Sequence, residues 1–243
     1  MKLLLITIAV VLLAGCGGSN DIHNRIVEGQ YGLVLKYLRE GGDINQKCNN
    51  PPKATLLHYS LMNGQHKISQ LLINKGADIH AVDTVLQTPL GCAVVPLFTA
   101  DDPNPNIELI DLIIKRGANI NHRSLGGRTP LQKACGAGNI DAVKTLIKNG
   151  ADVSLMNDEG ATCLHAAAHN GHLTIVQIII DNGLDPNVRN KTGSTALDLA
   201  MGPRSTLENI QVSIKSEEER RATADYLRKH GGKTGAELKA QGK

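Results

Sequence analysis

The sequence predicts an all-α fold in which one short structural unit is repeated along most of the chain. A threonine-led motif recurs roughly every 33 residues, starting at Thr55, Thr88, Thr129, Thr162 and Thr195, with one longer interval between Thr88 and Thr129. A Gly-Ala-Asp-like motif starting at Gly76, Gly117, Gly150 and Gly183 keeps the same step. Aromatic residues make up only 2% of the 243 residues, so we expect an aliphatic core, as in stacked helices.

Residues 1–15 predict a secretion signal. Lys2 precedes a continuous run from Leu3 to Ala14 that is interrupted only by Thr7. A helix of that length spans about 18 Å, well short of the ~30 Å core of a bilayer. We therefore expect a cleaved leader rather than a spanning helix.

Leu13-Ala14-Gly15-Cys16 resembles the lipobox of bacterial lipoproteins. The resemblance implies cleavage before Cys16 and acylation there, which makes residues 1–15 a signal peptide and residues 16–20 a lipidated N-terminus and linker. Acyl chains would hold the protein on a lipid bilayer. Gly17, in place of Asp, resembles the signal for delivery to the outer membrane, so we expect a lipid-anchored protein that faces the periplasm.

Each later unit predicts two helices and a turn, shown most fully after Thr162. Thr162 is placed to cap a short helix, and Gly171 favours its end. A second helix follows with Val176 and Ile179 on an apolar stripe that one unit cannot bury alone. Gly183 ends the second helix, and an extended turn leads to Thr195.

The residues between Gly160 and Asn187 resemble the ankyrin repeat, with its threonine-led short helix, longer apolar helix and Gly-Ala-Asp-like turn. The resemblance implies an all-α repeat solenoid of about six ankyrin repeats over residues 21–231, with atypical capping repeats. Residues 232–243 are expected to be a flexible tail. Within the array, residues 217–230 predict a polar capping helix.

A proline-containing insertion at residues 96–103 departs from the family pattern and predicts a loop. This loop holds Phe98, the only phenylalanine of the chain. Two interpretations of Phe98 stay open at this point: an exposed anchor for a partner, or a ring that packs over the adjacent helix.

Ankyrin arrays are similar to one another in binding proteins through turn tips and the exposed face of the short helices. The resemblance implies that the corresponding residues of this chain bind a protein partner on a concave face. They are Leu125, Gly126, Arg128, Asp158, Glu159, Ala161, Lys191, Thr192 and Ser194 in the turns, and His169 and Asn170 on a short helix.

Nothing in the sequence predicts nucleic-acid binding or catalysis. The formal net charge is +3, without a long block of one sign, so we expect no nucleic-acid partner. We find no nucleophile-elbow motif and expect no catalytic residues, no cofactor and no enzyme activity. His165, His169 and His172 leave one alternative, a histidine-based metal site or enzyme, but no acidic or cysteine group completes the ligand set.

The four cysteines after Cys16 are expected to be free thiols for the most part. Cys92, Cys135 and Cys163 fall at different levels of neighbouring units, and stacked helices lie too far apart for a disulfide bond, at about 8 to 10 Å. Cys48 lies in a loop and is the cysteine most able to pair.

These observations lead to a hypothesis of a non-catalytic periplasmic ankyrin lipoprotein that binds a protein partner. The lipobox and ankyrin array together look like immunity proteins or inhibitors that neutralise a toxic effector such as a lipase. An envelope scaffold that holds a periplasmic enzyme, for example one in oxidative-stress protection, is the alternative, and a structural lipoprotein with no specific partner is a third.

Overall fold

The structure is a computed structural model that describes residues 21–49, 51–95, 107–202 and 210–242, with the backbone alone for residues 210–216. Within these ranges it contains helices and no strand, so the all-α repeat fold is confirmed. The helices are α1 (Ile22–Val27), α2 (Tyr31–Arg39), α3 (Leu56–Met62), α4 (His66–Asn74), α5 (Pro89–Ala93), α6 (Ile107–Lys115), α7 (Pro130–Ala137), α8 (Ile140–Lys148), α9 (Cys163–His169), α10 (Leu173–Asp181), α11 (Ala196–Met201), α12 (Ile210–Lys229) and α13 (Gly235–Ala240).

The described chain divides into two compact units at Asn119 and Ile120. The N-terminal unit contains α1 to α6. In it the short helices α1, α3 and α5 pack in one layer, and the longer helices α2, α4 and α6 pack in a second.

The C-terminal unit contains α7 to α13 and follows the same plan. The short helices α7, α9 and α11 form one layer, and α8, α10 and α12 form the other. Leu131, Leu164 and Leu197 are buried in the first layer, and Leu146 and Ile179 are buried in the second. Neighbouring repeats thus bury each other's apolar faces, as the sequence predicts.

Threonines begin the short helices by capping them. The Thr129 hydroxyl accepts a hydrogen bond from the Gln132 amide at 3.3 Å, and the Gln132 side chain accepts one from the Thr129 amide at 3.1 Å. This reciprocal pair satisfies two backbone groups that have no partner within the helix. Thr162 pairs with His165 in the same way, which confirms its predicted capping role.

The predicted polar helix near residue 217 is present as the second half of α12. Glu217, Glu218 and Glu219 are exposed, whereas Thr223 and Leu227 are buried against the preceding repeat. Within residues 217–229 this helix turns a polar face outward and buries Thr223 and Leu227, as expected for a helix that caps a layer of repeats.

The segment expected to be a flexible tail instead contains α13. Thr234 caps this helix together with Glu237, and Leu238 is buried. The Gly235 amide also donates to the Asp198 carboxylate at 2.8 Å. Burial and hydrogen bonding order this segment, and composition alone did not reveal either contact.

Two other predicted features, the leader and linker at residues 1–20 and the insertion around Phe98, lie outside the described residues. The predicted acylation site Cys16 falls in the first of these ranges. No helix in the described ranges is both long enough and apolar enough to cross a membrane.

Candidate functional site

Three turns of the C-terminal unit carry the predicted binding residues. We call residues 123–128, 156–161 and 189–194 the first, second and third turns. Corresponding positions in successive turns are one repeat apart in the sequence.

Short polar side chains fix the shape of these turns. Asn157 accepts hydrogen bonds from the backbone amides of Glu159 and Ala161, both at 2.9 Å. In the third turn, Asn190 accepts the equivalent bonds from Thr192 at 3.0 Å and Ser194 at 2.9 Å. Asparagine is suited to this position because its side-chain carbonyl can bond the backbone two residues further on.

Neighbouring turns are joined by backbone hydrogen bonds. The Asp158 amide donates to the Gly126 carbonyl at 3.0 Å, and the Lys191 amide donates to the Glu159 carbonyl at 2.9 Å. The three turns therefore form one connected row, which we call the turn row.

Glycine permits the close approach between turns. A side chain at Gly160 would bring its Cβ to 2.9 Å from the Lys191 amide nitrogen, and one at Gly127 would overlap the Asp158 carboxylate. Both glycines also have positive φ, at 73° and 71°.

Most of the predicted turn residues lie on the exposed edge of the turn row. Leu125 is 65% exposed, although it is apolar. The other exposed members of the predicted set are Gly126, Arg128, Asp158, Glu159, Lys191 and Thr192.

Ala161 and Ser194 have a structural role in the turns as well. Both are half-buried. The Ala161 carbonyl accepts a hydrogen bond from Gln132 at 3.0 Å, and the Ser194 carbonyl is 3.1 Å from the imidazole of His165. These two positions anchor the turns to the short helices.

On the short helix α9, the two predicted binding residues differ in exposure. His169 is exposed near the end of the helix, whereas Asn170 is half-buried. The Asn170 side chain donates to the Gly136 carbonyl at 3.1 Å, which links it to the preceding repeat. His169 is thus the better placed of the two to contact a partner.

Sequence analysis missed two residues that shape the turn row, Arg123 and Met156. The Arg123 guanidinium donates to the Met156 carbonyl at 2.7 Å and to the Asp158 carboxylate at 3.0 Å. Met156 is 44% exposed and adds a second apolar side chain to the surface. Arg123 and Met156 are one repeat apart in the sequence, and this spacing could have indicated that both lie on the turn row.

The geometry around His165 argues against a metal site there. One imidazole nitrogen is 3.0 Å from the Thr162 hydroxyl, and the other is 3.1 Å from the Ser194 carbonyl. Burial lowers the pKa of His165, so the neutral ring is favoured. Among the described residues there is no group of three or more histidine, cysteine or acidic side chains arranged to hold a metal ion.

The cysteines of the described residues are buried. Cys92, Cys135 and Cys163 are free thiols, which confirms the prediction for these three. Burial raises the pKa of the Cys135 thiol well above its usual value, so this side chain is a poor nucleophile. Cys48 is also buried.

Comparison with known families decides which class of repeat this is. The family described as "Ankyrin repeats (3 copies)" matches residues 97–190 and 146–207, and that described as "Ankyrin repeat" matches residues 53–84. Together these ranges cover more than half of the chain. The chain belongs to the ankyrin repeat family. Ankyrin repeats mediate interactions between proteins, and proteins built from them are generally non-catalytic scaffolds.

A curated relative supports the same assignment. The chain is 32% identical over 97 residues to the B-cell lymphoma 3 protein homolog of Mus musculus. The match covers 40% of this ankyrin chain and 20% of the relative. The chain therefore spans about a fifth of the length of the curated relative it matches.

Proposed function

We propose that this ankyrin protein is a non-catalytic lipoprotein that binds a protein partner through the turn row and the exposed face of the adjacent short helices. The observation that carries the proposal is the connected backbone of the turn row, which holds a varied set of side chains on one exposed edge. A surface already ordered before binding loses little conformational entropy when a partner docks.

The side chains of the turn row suit a protein partner. Leu125 and Met156 provide exposed apolar area, and the turn row also carries exposed charged residues of both signs, including Glu159 and Lys191. A few apolar anchors within a polar rim are typical of protein interfaces.

The location proposed for this protein is the periplasmic face of the outer membrane, with acylated Cys16 as the anchor. Support comes from the lipobox resemblance of Leu13 to Cys16. Residues 17–20 could reach about 14 Å when extended, which would keep the repeats close to the lipid surface.

Within this class, our specific proposal is an immunity protein or inhibitor of a toxic effector such as a lipase. The pairing of a lipobox with an ankyrin array supports it. An inhibitor needs a binding surface and the correct cellular location but no catalytic group. The turn row would supply the surface, and acylation of Cys16 would supply the location.

The binding proposal is tested by affinity purification from detergent-solubilised envelope. A tip variant carries Glu159→Lys and Lys191→Glu, which leaves the net charge unchanged. A matched control carries Asp141→Lys and Lys144→Glu, two exposed positions on α8. We expect one protein to co-purify with the original chain and the control but not with the tip variant.

The same experiment separates the alternatives. A toxic lipase whose activity falls when the purified chain is added would support an inhibitor, and a resident envelope enzyme that stays active would support a scaffold. Equal capture by the tip variant and the original chain would refute binding through the turn row.

The anchoring proposal has its own test, the Cys16→Ser variant in cells supplied with labelled palmitate. We expect label on the original chain and none on the variant, with the variant released from the membrane fraction. An unlabelled original chain would refute lipidation and leave the binding proposal intact.

A further inference from the structure

The third turn resembles the first turn in the residues that hold a neighbouring turn in place. In the first turn these groups are the Arg123 guanidinium, the Gly126 carbonyl and Gly127, whose lack of a side chain leaves room for Asp158. Two repeats later, the third turn carries Arg189, Thr192 and Gly193 in these positions. We call these three residues the terminal slot.

In the first turn this set of groups is occupied by the second turn of the same chain. Arg123 donates to the Met156 carbonyl at 2.7 Å and the Asp158 carboxylate at 3.0 Å, and the Gly126 carbonyl accepts from the Asp158 amide at 3.0 Å. The occupant is therefore a tight turn that offers an N–H group, a carbonyl group and a carboxylate.

Among the described residues no fourth turn follows the third. In the preceding repeat a full turn separates Gly183, which ends a longer helix, from Thr195, the next capping threonine. The corresponding pair after α12 is Gly231 and Thr234, between which only Gly232 and Lys233 lie. This connection is too short to form another turn of the same kind.

The Cβ side of Gly193 in the terminal slot is open among the described residues, whereas the Gly193 carbonyl lies against α13, where a Cβ built on Gly235 would overlap it. No described atom lies within 4 Å of a Cβ built on Gly193, whereas the Cβ on Gly160 would meet the third turn at 2.9 Å. Arg189 and Thr192 are exposed, and within the described chain no backbone group donates to the Thr192 carbonyl. Gly193 has a φ of 82°, close to the 71° of Gly127, so its backbone has a similar conformation.

We propose that the terminal slot binds an acidic turn of the partner protein, which extends the turn row by one member. The partner's backbone N–H donates to the Thr192 carbonyl, and its Asp or Glu side chain accepts from Arg189. The inference rests on the proposed protein-binding function and specifies the chemistry of the partner.

The nearest probe for this site is the turn that fills the equivalent position within the chain. A cyclic peptide with the sequence of residues 154–161 is titrated to millimolar concentration into the isotopically labelled full chain in detergent, and backbone amide shifts are followed by NMR. We expect the largest shifts at residues 189–194.

Matched variants establish whether the recognition is specific. Asn in place of Asp158 in the peptide is expected to weaken binding by about two- to fivefold, as for an exposed ion pair. Arg189→Ala in the chain should weaken it similarly, and Arg221→Ala, at an exposed position on α12 outside the turn row, should not. Because Arg189 is exposed, its replacement is not expected to unfold the chain.

Absence of shifts at residues 189–194, or equal binding by the Arg189→Ala and Arg221→Ala chains, would overturn the proposal for the terminal slot. That result would not refute the proposed function, because the tip variant with Glu159→Lys and Lys191→Glu tests partner capture separately. If the tip variant loses partner capture and the peptide causes no shifts, the partner binds the turn row outside the terminal slot.

Discussion

At the scale of single residues, one position of the short helix shows how different side chains do the same structural work. His58, Gln132 and His165 each reach the backbone carbonyl 29 residues later, at 2.9, 3.0 and 3.1 Å. Each also bonds the threonine that caps its own helix. The position therefore requires a side chain that can bond both groups, and histidine is not essential.

This equivalence predicts that His165→Gln is tolerated and His165→Leu is not. Leucine would leave the buried Thr162 amide and the Ser194 carbonyl without their partner, at a cost of about 1 to 3 kcal/mol in the free energy of unfolding. Glutamine should cost less than about 1 kcal/mol, since Gln132 makes the same two contacts. Urea unfolding of both variants measures the difference, and equal losses would contradict the explanation.

The buried histidines also predict how stability depends on pH. Burial lowers the pKa of His58, His165 and His172 below the ordinary value of about 6.5. Near and below pH 6.5 the unfolded chain therefore binds more protons than the folded chain. The contribution of these neutral rings to stability is fully present above about pH 6.5 and decreases as the pH falls below it.

Urea unfolding at pH 7.5 and pH 5 tests this dependence. We expect a lower free energy of unfolding at pH 5, and a smaller decrease in the His165→Gln variant because glutamine does not titrate. An identical decrease in the variant would show that His165 does not contribute.

At the scale of elements, α13 is held by a residue that changes the chemistry of the repeated position. Asp198 stands where His165 stands one repeat earlier, but a carboxylate accepts hydrogen bonds and cannot donate them. Its partner outside its own repeat is accordingly an amide, the Gly235 N–H at 2.8 Å, rather than a carbonyl. The same carboxylate oxygen accepts from the amide and hydroxyl of Thr195 at 2.8 and 2.9 Å.

Removal of this carboxylate should release α13. We expect Asp198→Ala to lower the free energy of unfolding by about 1 to 3 kcal/mol because the Thr195 and Gly235 amides lose their acceptor, whereas the Thr195 hydroxyl keeps the Lys233 carbonyl. Hydrogen exchange at residues 235–240 should rise in parallel. Asp181→Ala, at an exposed position on α10, serves as the control and should change stability by less than about 0.5 kcal/mol. Unchanged exchange in α13 would contradict this account.

At the scale of the whole molecule, the features that recur in every repeat could be predicted from the sequence. The capping threonines, the short and longer helices and the exposed turns follow from the regular spacing of the motifs, because each repeat buries the same face against its neighbours. The exposed predicted residues such as Leu125, Asp158 and Lys191 lie on the turn row for that reason.

Features that depend on a single departure from the frame were not predictable in the same way. Because the connection between Gly231 and Thr234 is shortened, Thr234 does not fall at the regular spacing of the capping threonines. For this reason α13 was expected to be part of a tail. The contact between Arg123 and Asp158 was missed because it joins two repeats, and a reading of each repeat alone does not show which side chains meet.

The central claim is that the turn row binds the partner, and the dissociation constant of the captured protein tests it most directly. Calorimetric titration with the original chain, the tip variant (Glu159→Lys and Lys191→Glu) and the α8 control (Asp141→Lys and Lys144→Glu) provides that constant. We expect binding at least about tenfold weaker for the tip variant, a change of roughly 1.4 kcal/mol, and unchanged binding for the control. Equal affinity for all three chains would contradict it.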